Sequence, residues 1–151
     1  MRIVVQRVSE ASVRIDGNIV GSISQGLMIL VGVETIDSQS DADYLIQKLI
    51  NLRIFNDEEG KMNLSIQDVG GELLVVSQFT LHASTKKGNR PSYIRAARPE
   101  QAIPLYTYFI EQAQKELKSK IQTGEFGADM KVSLVNDGPV TIIIDSANKD
   151  F

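Results

Sequence analysis

Four consecutive residues, Ser77-Gln78-Phe79-Thr80, close a strongly apolar run and open onto a segment rich in cations. Polar groups at the mouth of an apolar strand can project into a site, with backbone N–H groups freed by the strand end. Ser77 and Thr80 are hydroxyl nucleophile candidates, Gln78 is a donor, and the amide of Phe79 or Thr80 is a candidate oxyanion stabiliser. The chain has one histidine, His82, and no cysteine. An imidazole base therefore has one candidate and a thiol nucleophile none. The same residue types admit a plainer reading, in which Ser and Thr simply terminate a strand and a lone histidine beside a basic loop lies on the surface.

Two further segments carry shape more than reactivity. Asn136-Asp137-Gly138-Pro139-Val140-Thr141 is built from turn formers and reads first as a hairpin turn. Its spacing does not set the isomer of the Gly138–Pro139 bond, since prolyl bonds are cis in only about 5–6% of folded-protein cases. Gly124-Glu125-Phe126-Gly127-Ala128-Asp129-Met130 places two glycines around one aromatic. Phe126 and Met130 could line an adenine-sized pocket or anchor the core.

Charge is distributed unevenly. The net charge of −3 gives no global reason to bind a polyanion. Yet no acidic residue lies between Glu72 and Glu100, a window holding Lys86, Lys87, Arg90, Arg95 and Arg98. This is either a solvated loop or a surface for phosphates. Carboxylates are plentiful and are read as solvated, as in the polar loop 56–60 and on helix faces.

These residues need positioning elements. Strands are expected over Arg2 to Val8, Ser12 to Asp16 and Ile19 to Ile23, with a turn at Asp16-Gly17-Asn18. Leu27 to Val33 is apolar on both faces and reads as a central, doubly covered strand. Ser40 is the expected N-cap of a helix carrying Leu45, Ile46, Leu49 and Leu52 on one face. Glu72 to Phe79 is a second apolar strand. Pro99 to Lys120 reads as a second helix, with Ile103, Tyr106, Phe109, Ile110, Ala113 and Leu117 on one side. Strands over Lys131 to Val135 and Val140 to Asp145 flank the Asn136–Pro139 turn. Hairpins, then helix, strand, helix and hairpin, argue for an α+β fold with a mixed sheet over one domain, residues 1–151.

Composition narrows the function. At 151 residues, 42% hydrophobic and 23% charged, the chain has a globular composition with enough length for its own core. The absence of cysteine and the single histidine remove Cys-based zinc sites and any metal site built on two or three imidazoles of one chain. No cofactor or metal is expected. There is no phosphate-loop fingerprint, no G-x-G-x-x-G after a strand and no G-x-S-x-G elbow. Leu27 to Val33 is far shorter than a membrane span. Nothing marks a secretory leader, and the cytoplasm is the default expectation.

Taken together and in order, the opening Met1-Arg2-Ile3-Val4-Val5-Gln6-Arg7-Val8, the Ser77-Gln78-Phe79-Thr80-Leu81 strand end, the Phe126-Gly127-Ala128 loop and Asn136-Asp137-Gly138-Pro139-Val140-Thr141 resemble the D-aminoacyl-tRNA deacylases. The resemblance spans the whole chain, without insertion or departure at the motif positions. It implies a single barrel-like domain with mixed and antiparallel sheets and two main helices. It implies hydrolysis of the ester between a D-amino acid and the 3′-terminal ribose of tRNA, and removal of glycine from mischarged alanine tRNA. It also implies a homodimer with both sites at the subunit interface. There a cis Gly138–Pro139 bond, in a motif with Asn136 and braced by Arg7, would reach into the partner's site and exclude L side chains.

By the same resemblance, Ser77 to Thr80 contact the ester and terminal ribose, while Phe126 and Met130 hold the terminal adenine. Lys86, Lys87 and Arg90 then meet acceptor-stem phosphates. The tRNA 2′-OH assists, although Thr80 has also been viewed as the nucleophile. Two other classes stay open on the residues alone: a covalent Thr/Ser hydrolase of small esters, and a non-catalytic RNA-binding module.

Overall fold

The computed structural model describes residues 1–150; Phe151, the last residue of the expected domain, lies outside the described residues. The chain begins with strand β1 (Arg2–Ile15), β2 (Asn18–Ile23) and β3 (Gly26–Gly32). Helix α1 (Gln39–Asn51) follows, then the two short strands β4 (Phe55–Asn56) and β5 (Met62–Leu64) and the strand β6 (Glu72–Ser77). A single 3₁₀ turn (Phe79–His82), helix α2 (Pro99–Glu116), β7 (Ile121–Thr123) and β8 (Lys131–Asp145) complete it. This is the expected α+β arrangement. Its main sheet is mixed: β1 runs antiparallel to β2, β3 and β8, while β3–β6 and β6–β7 are parallel.

The first two expected strands are one. β1 continues for 14 residues, and its edge is shared. Arg2 to Val8 pair with β3, whereas Ala11 to Ile15 pair with β2. One long strand with two successive neighbours bends the sheet over itself. β2 then meets the far edge near β7. Lys120 Nζ donates to the Ser22 carbonyl at 2.8 Å, and a Cβ on Gly21 would lie 2.8 Å from the Thr123 carbonyl oxygen. The sheet thereby nearly closes into a barrel. The tight β1–β2 connection uses Asp16 and Gly17, both at positive φ (48° and 81°), the conformation a two-residue hairpin needs.

The core divides by face. Ile3, Val5, Leu27, Ile29, Leu73 and Val75 pack against Leu45, Ile46 and Leu49 of α1 and Phe109 of α2. Val8, Val13, Met28, Leu74 and Val76 fill the barrel interior. β3 contributes to both, as the continuous apolar run required.

Local boundaries differ from expectation for identifiable reasons. Ser38, not Ser40, caps α1: Ser38 has extended backbone, and its N–H donates to Asp41 Oδ2 at 2.9 Å. Helix α2 ends at Glu116, four residues short of Lys120, with its buried face on Ala102, Leu105, Tyr106, Phe109 and Ala113; Ile103 is exposed. Strand β6 stops at Ser77 because its parallel neighbour runs out: Val31–Ser77 is the last register pair, and Gln78 N–H donates to the Val31 carbonyl. The chain then coils against Gly32, where a Cβ would sit 3.0 Å from Leu81 Cβ and 3.1 Å from the Gln78 carbonyl oxygen.

The Asn136–Pro139 segment does not reverse the chain. β8 is one strand of 15 residues, and both halves pair with β1. Gln6 faces Thr141 and Val8 faces Asn136, so residues 137–140 stand against Arg7 alone. The turn formers make a large bulge instead of a hairpin.

Candidate active site

The ends of β3 and β6 open at the same edge of the sheet because the two strands are parallel and in register. There a cavity of about 260 Å³ forms, with Val31 and Val76 as its floor. Ser77, Gln78 and Phe79 form one wall; Tyr106 of α2, Phe126 and Met130 form the other. The sheet positions the first group and the loop 124–130 the second. Met130 packs close over Gly124, where a Cβ would lie 2.4 Å from the Met130 sulfur and push that side chain aside.

Side-chain partners define what each group can do. Gln78 Nε2 donates to Thr80 Oγ1 at 2.6 Å, so the Thr80 hydroxyl is held by an amide and not by a base. The 3₁₀ turn begins at Phe79, and the first N–H groups of such a turn have no acceptor within it. Those of Phe79 and Thr80 are therefore available to stabilise negative charge. Helical spacing places Tyr106 on the core face and says nothing of a site. Its phenol donates to the Val75 carbonyl at 3.0 Å, its ring lies 5.8 Å from that of Phe126, and burial pushes its ionisation well above the ordinary tyrosine range. It is a rigid wall, not an acid–base group at neutral pH.

His82 corrects the surface reading. It is 3% exposed, with Nδ1 3.7 Å from Glu34 Oε2, and neither ring nitrogen has a hydrogen-bond partner among the described residues. Glu34 is buried too, and Arg95 Nε donates to its Oε1 at 2.5 Å. That hydrogen bond and the Glu34 charge raise the guanidinium's affinity for its proton. Glu34 and Asp145, both 5% exposed, depart from the solvated reading of the carboxylates. The available signal was a charged residue ending each of two apolar strands, at Val33-Glu34 and Ile144-Asp145.

The structure brings Ser77, Gln78, Phe79, Phe126 and Met130 around one cavity, with Thr80 tied to Gln78. It does not bring Arg7, Asn136, Gly138 and Pro139 to that cavity. Gly138 and Pro139 are exposed on the bulge of β8, and the bond between them is cis. Asn136 ties the bulge together, its Oδ1 accepting Val140 N–H and its Nδ2 donating to Thr141 Oγ1, each at 2.9 Å. Lys86, Lys87 and Arg90 are exposed on the basic loop and make no ion pair among the described residues. A larger groove, about 590 Å³, runs along β1, β2 and β8. None of the sequence-selected residues lines it, and its Glu72 and Lys120 are engaged by Ser24 N–H and the Ser22 carbonyl.

Comparison with known proteins places this geometry. The chain superposes on a solved structure described as "Structural Analysis of a probable eukaryotic D-amino acid tRNA deacylase" with a TM-score of 0.84, covering 95% of this chain and 98% of that one. At 15% identity this is a likeness of fold alone. A solved "c-Myc DNA Unwinding Element Binding Protein" gives a TM-score of 0.89 at 43% identity, over 96% of this chain and 98% of that chain. The fold class is thus that of these small barrel-like α+β proteins.

The model of the D-Tyr-tRNA(Tyr) deacylase family matches residues 4–145, and the chain belongs to that family. Its relatives include a D-aminoacyl-tRNA deacylase of Flavobacterium psychrophilum, 64% identical, and one of Bacteroides thetaiotaomicron, 62% identical, each over 99% of this chain and all of the relative. A deacylase of this kind is a hydrolase, so the family is a family of enzymes.

Proposed function

We propose that this protein hydrolyses the ester linking a D-amino acid, or glycine, to the 3′-terminal ribose of tRNA, and that two copies build each site. The observation that carries this reading is the separation of the two motifs. Ser77, Gln78 and Phe79 line the cavity, while Gly138 and Pro139 stand exposed and away from it on the same chain. A second copy would supply the missing half to each. Val4, Leu30 and Ile143 support such an association: they are register neighbours across three strands, and none is fully buried.

In this reading the terminal adenine sits between Phe126 and Met130, and the ester carbonyl points at the N–H groups of Phe79 and Thr80. Water attacks the carbonyl carbon, the tetrahedral oxyanion is held by those donors, and the bond to the ribose 3′-oxygen breaks as that oxygen takes a proton. The neighbouring 2′-OH of the tRNA relays the proton. An aminoacyl ester is already activated, so orientation and oxyanion stabilisation suffice without a strong protein base. The partner's Gly138 and Pro139 carbonyls accept from the substrate ammonium and occupy the space an L side chain needs. Glycine has no side chain to exclude and is accepted. Among the described residues no helix is long and apolar enough to cross a membrane, and a tRNA substrate supports a cytoplasmic setting.

A second reading, nucleic-acid binding without deacylation, draws on one observation: the relative at 43% identity is named for binding a DNA unwinding element. Incubating the purified protein with D-Tyr-tRNA, L-Tyr-tRNA and a free D-aminoacyl ester separates the readings. Loss of the ester from D-Tyr-tRNA alone supports the proposed function. Binding of tRNA without ester loss supports the second reading, and turnover of the free ester supports a covalent Thr/Ser hydrolase.

A further inference from the structure

Phe79 is 55% exposed and Tyr93 41% exposed, yet their rings pack on each other edge to face, with centroids 5.2 Å apart and planes at 73°. Two large aromatic rings packed on each other while both stay partly exposed mark a surface prepared for a partner. Their position says which. Phe79 lines the cavity at the end of β6, so the pair begins where the cavity ends. Tyr93 follows Ser92, which closes the base of the basic loop: Ser84 N–H donates to the Ser92 carbonyl at 2.8 Å and Ser92 N–H to the Ser84 carbonyl at 2.9 Å. Beyond that clasp, residues 85–91 carry Lys86, Lys87 and Arg90, all exposed. Phe79 thus joins the cavity to Tyr93, and Tyr93 adjoins the base of the cationic loop.

We propose that the Phe79–Tyr93 pair is a stacking platform for the unpaired nucleotide preceding the terminal adenosine of the tRNA, with the cationic loop holding the phosphates beyond it. The inference rests on the proposed function, in that the cavity takes the terminal adenosine. Its chemistry is general: every base offers a π-face, and a single strand with charged phosphates matches aromatic rings flanked by lysine and arginine. The edge-to-face contact fixes each ring before the strand arrives, so little side-chain freedom is lost on binding. The platform adds affinity for a strand and none for an isolated nucleoside ester.

The test compares D-aminoacyl-tRNA with a D-aminoacyl-adenosine ester for the wild type, Tyr93→Ala and Tyr93→Phe. Tyr93→Ala should lower the ratio of the two kcat/KM values about 5- to 150-fold, the span expected for removing one base–aromatic stack. Tyr93→Phe, which keeps the ring, should stay within about twofold of the wild type in the same ratio. In parallel, a single-stranded oligonucleotide ending in CCA and carrying no amino acid should bind Tyr93→Ala more weakly by a similar factor. An unchanged ratio together with unchanged oligonucleotide affinity overturns the platform. So does a loss that is equal on both esters and accompanied by a change in sedimentation, which would make Tyr93 a contact between copies. If the wild type hydrolyses neither ester, the deacylase reading fails, and the oligonucleotide measurement still decides the platform.

Discussion

The Arg7 guanidinium lies beneath the bulge of β8, its Nε donating to the Asp137 carbonyl at 2.8 Å, while its Nη2 would stand 3.1 Å from any Cβ placed on Gly138. Its Nη1 also donates to the Ile54 carbonyl at 2.6 Å, so one side chain pins the bulge to the loop after α1. Arg7→Ala should leave two carbonyls without their charged donor and cost about 2–4 kcal/mol of stability, readable by urea unfolding. Gly138→Ala tests the bulge itself. Gly138 has φ +141°, and an added Cβ would meet Val140 Cγ2 at 2.7 Å. The variant should keep the circular dichroism of the wild type and lose at least about tenfold in kcat/KM on D-aminoacyl-tRNA, a barrier change of about 1.4 kcal/mol. Full activity in Gly138→Ala would remove the bulge from the site.

Thr80→Ala should cost far less than loss of a nucleophile. The Thr80 hydroxyl accepts from Gln78, and the one histidine of the chain is buried against Glu34. Removing the terminal 2′-OH of the tRNA should reduce the rate much more than the substitution does. Near-complete inactivation by Thr80→Ala, with full activity on 2′-deoxy tRNA, would instead make Thr80 the nucleophile.

Reversing charge at Lys86, Lys87 and Arg90 together should weaken tRNA binding and leave the fold intact, since all three are exposed. For every phosphate that these cations no longer neutralise, the slope of log affinity against log salt should fall by roughly 0.7–0.9. Equilibrium binding across a salt series measures it, and an unchanged slope would make the loop a solvated one.

The alternating and continuous apolar patterns make β2, β3 and β6 legible in the sequence, and the 3.6-residue spacing makes both helices legible. What stays illegible depends on partners distant in the chain. Nothing local to Asn136–Pro139 says that Arg7 faces it, so turn formers read as a hairpin and not as a bulge in a strand still paired to β1. Likewise β6 ends at Ser77 because β3 ends, not because its own residues lose strand character. His82 reads as a surface residue for the converse reason: the loop that follows it is polar, but the 3₁₀ turn packs it under Gly32 and beside Glu34. The cavity residues Ser77, Gln78, Phe79, Phe126 and Met130 are legible because their motifs lie where elements end.

Asp145 makes stability depend on acid. Burial alone would raise its ionisation, but N–H groups of Asn148 and Ala147 and the Arg2 Nε at 2.8 Å outweigh it and hold the carboxyl below its ordinary 3.8. A folded value below the unfolded one contributes stability that is complete above the unfolded value and is lost as pH falls through the folded value. Unfolding in urea at pH 7 and at pH 3 should therefore show a larger loss for the wild type than for Asp145→Asn. Equal losses would contradict the role given to this carboxylate.

Discrimination by exclusion is measured in a single parallel assay: ester loss from D-Tyr-tRNA, L-Tyr-tRNA and glycyl-tRNA under identical conditions, with the protein's mass followed by sedimentation. The prediction is that the D-aminoacyl and glycyl esters are hydrolysed, that the L-aminoacyl ester survives, and that the active species has twice the mass of the 16.7 kDa chain. Comparable hydrolysis of the D and L esters, or full activity in a 16.7 kDa monomer, would contradict it.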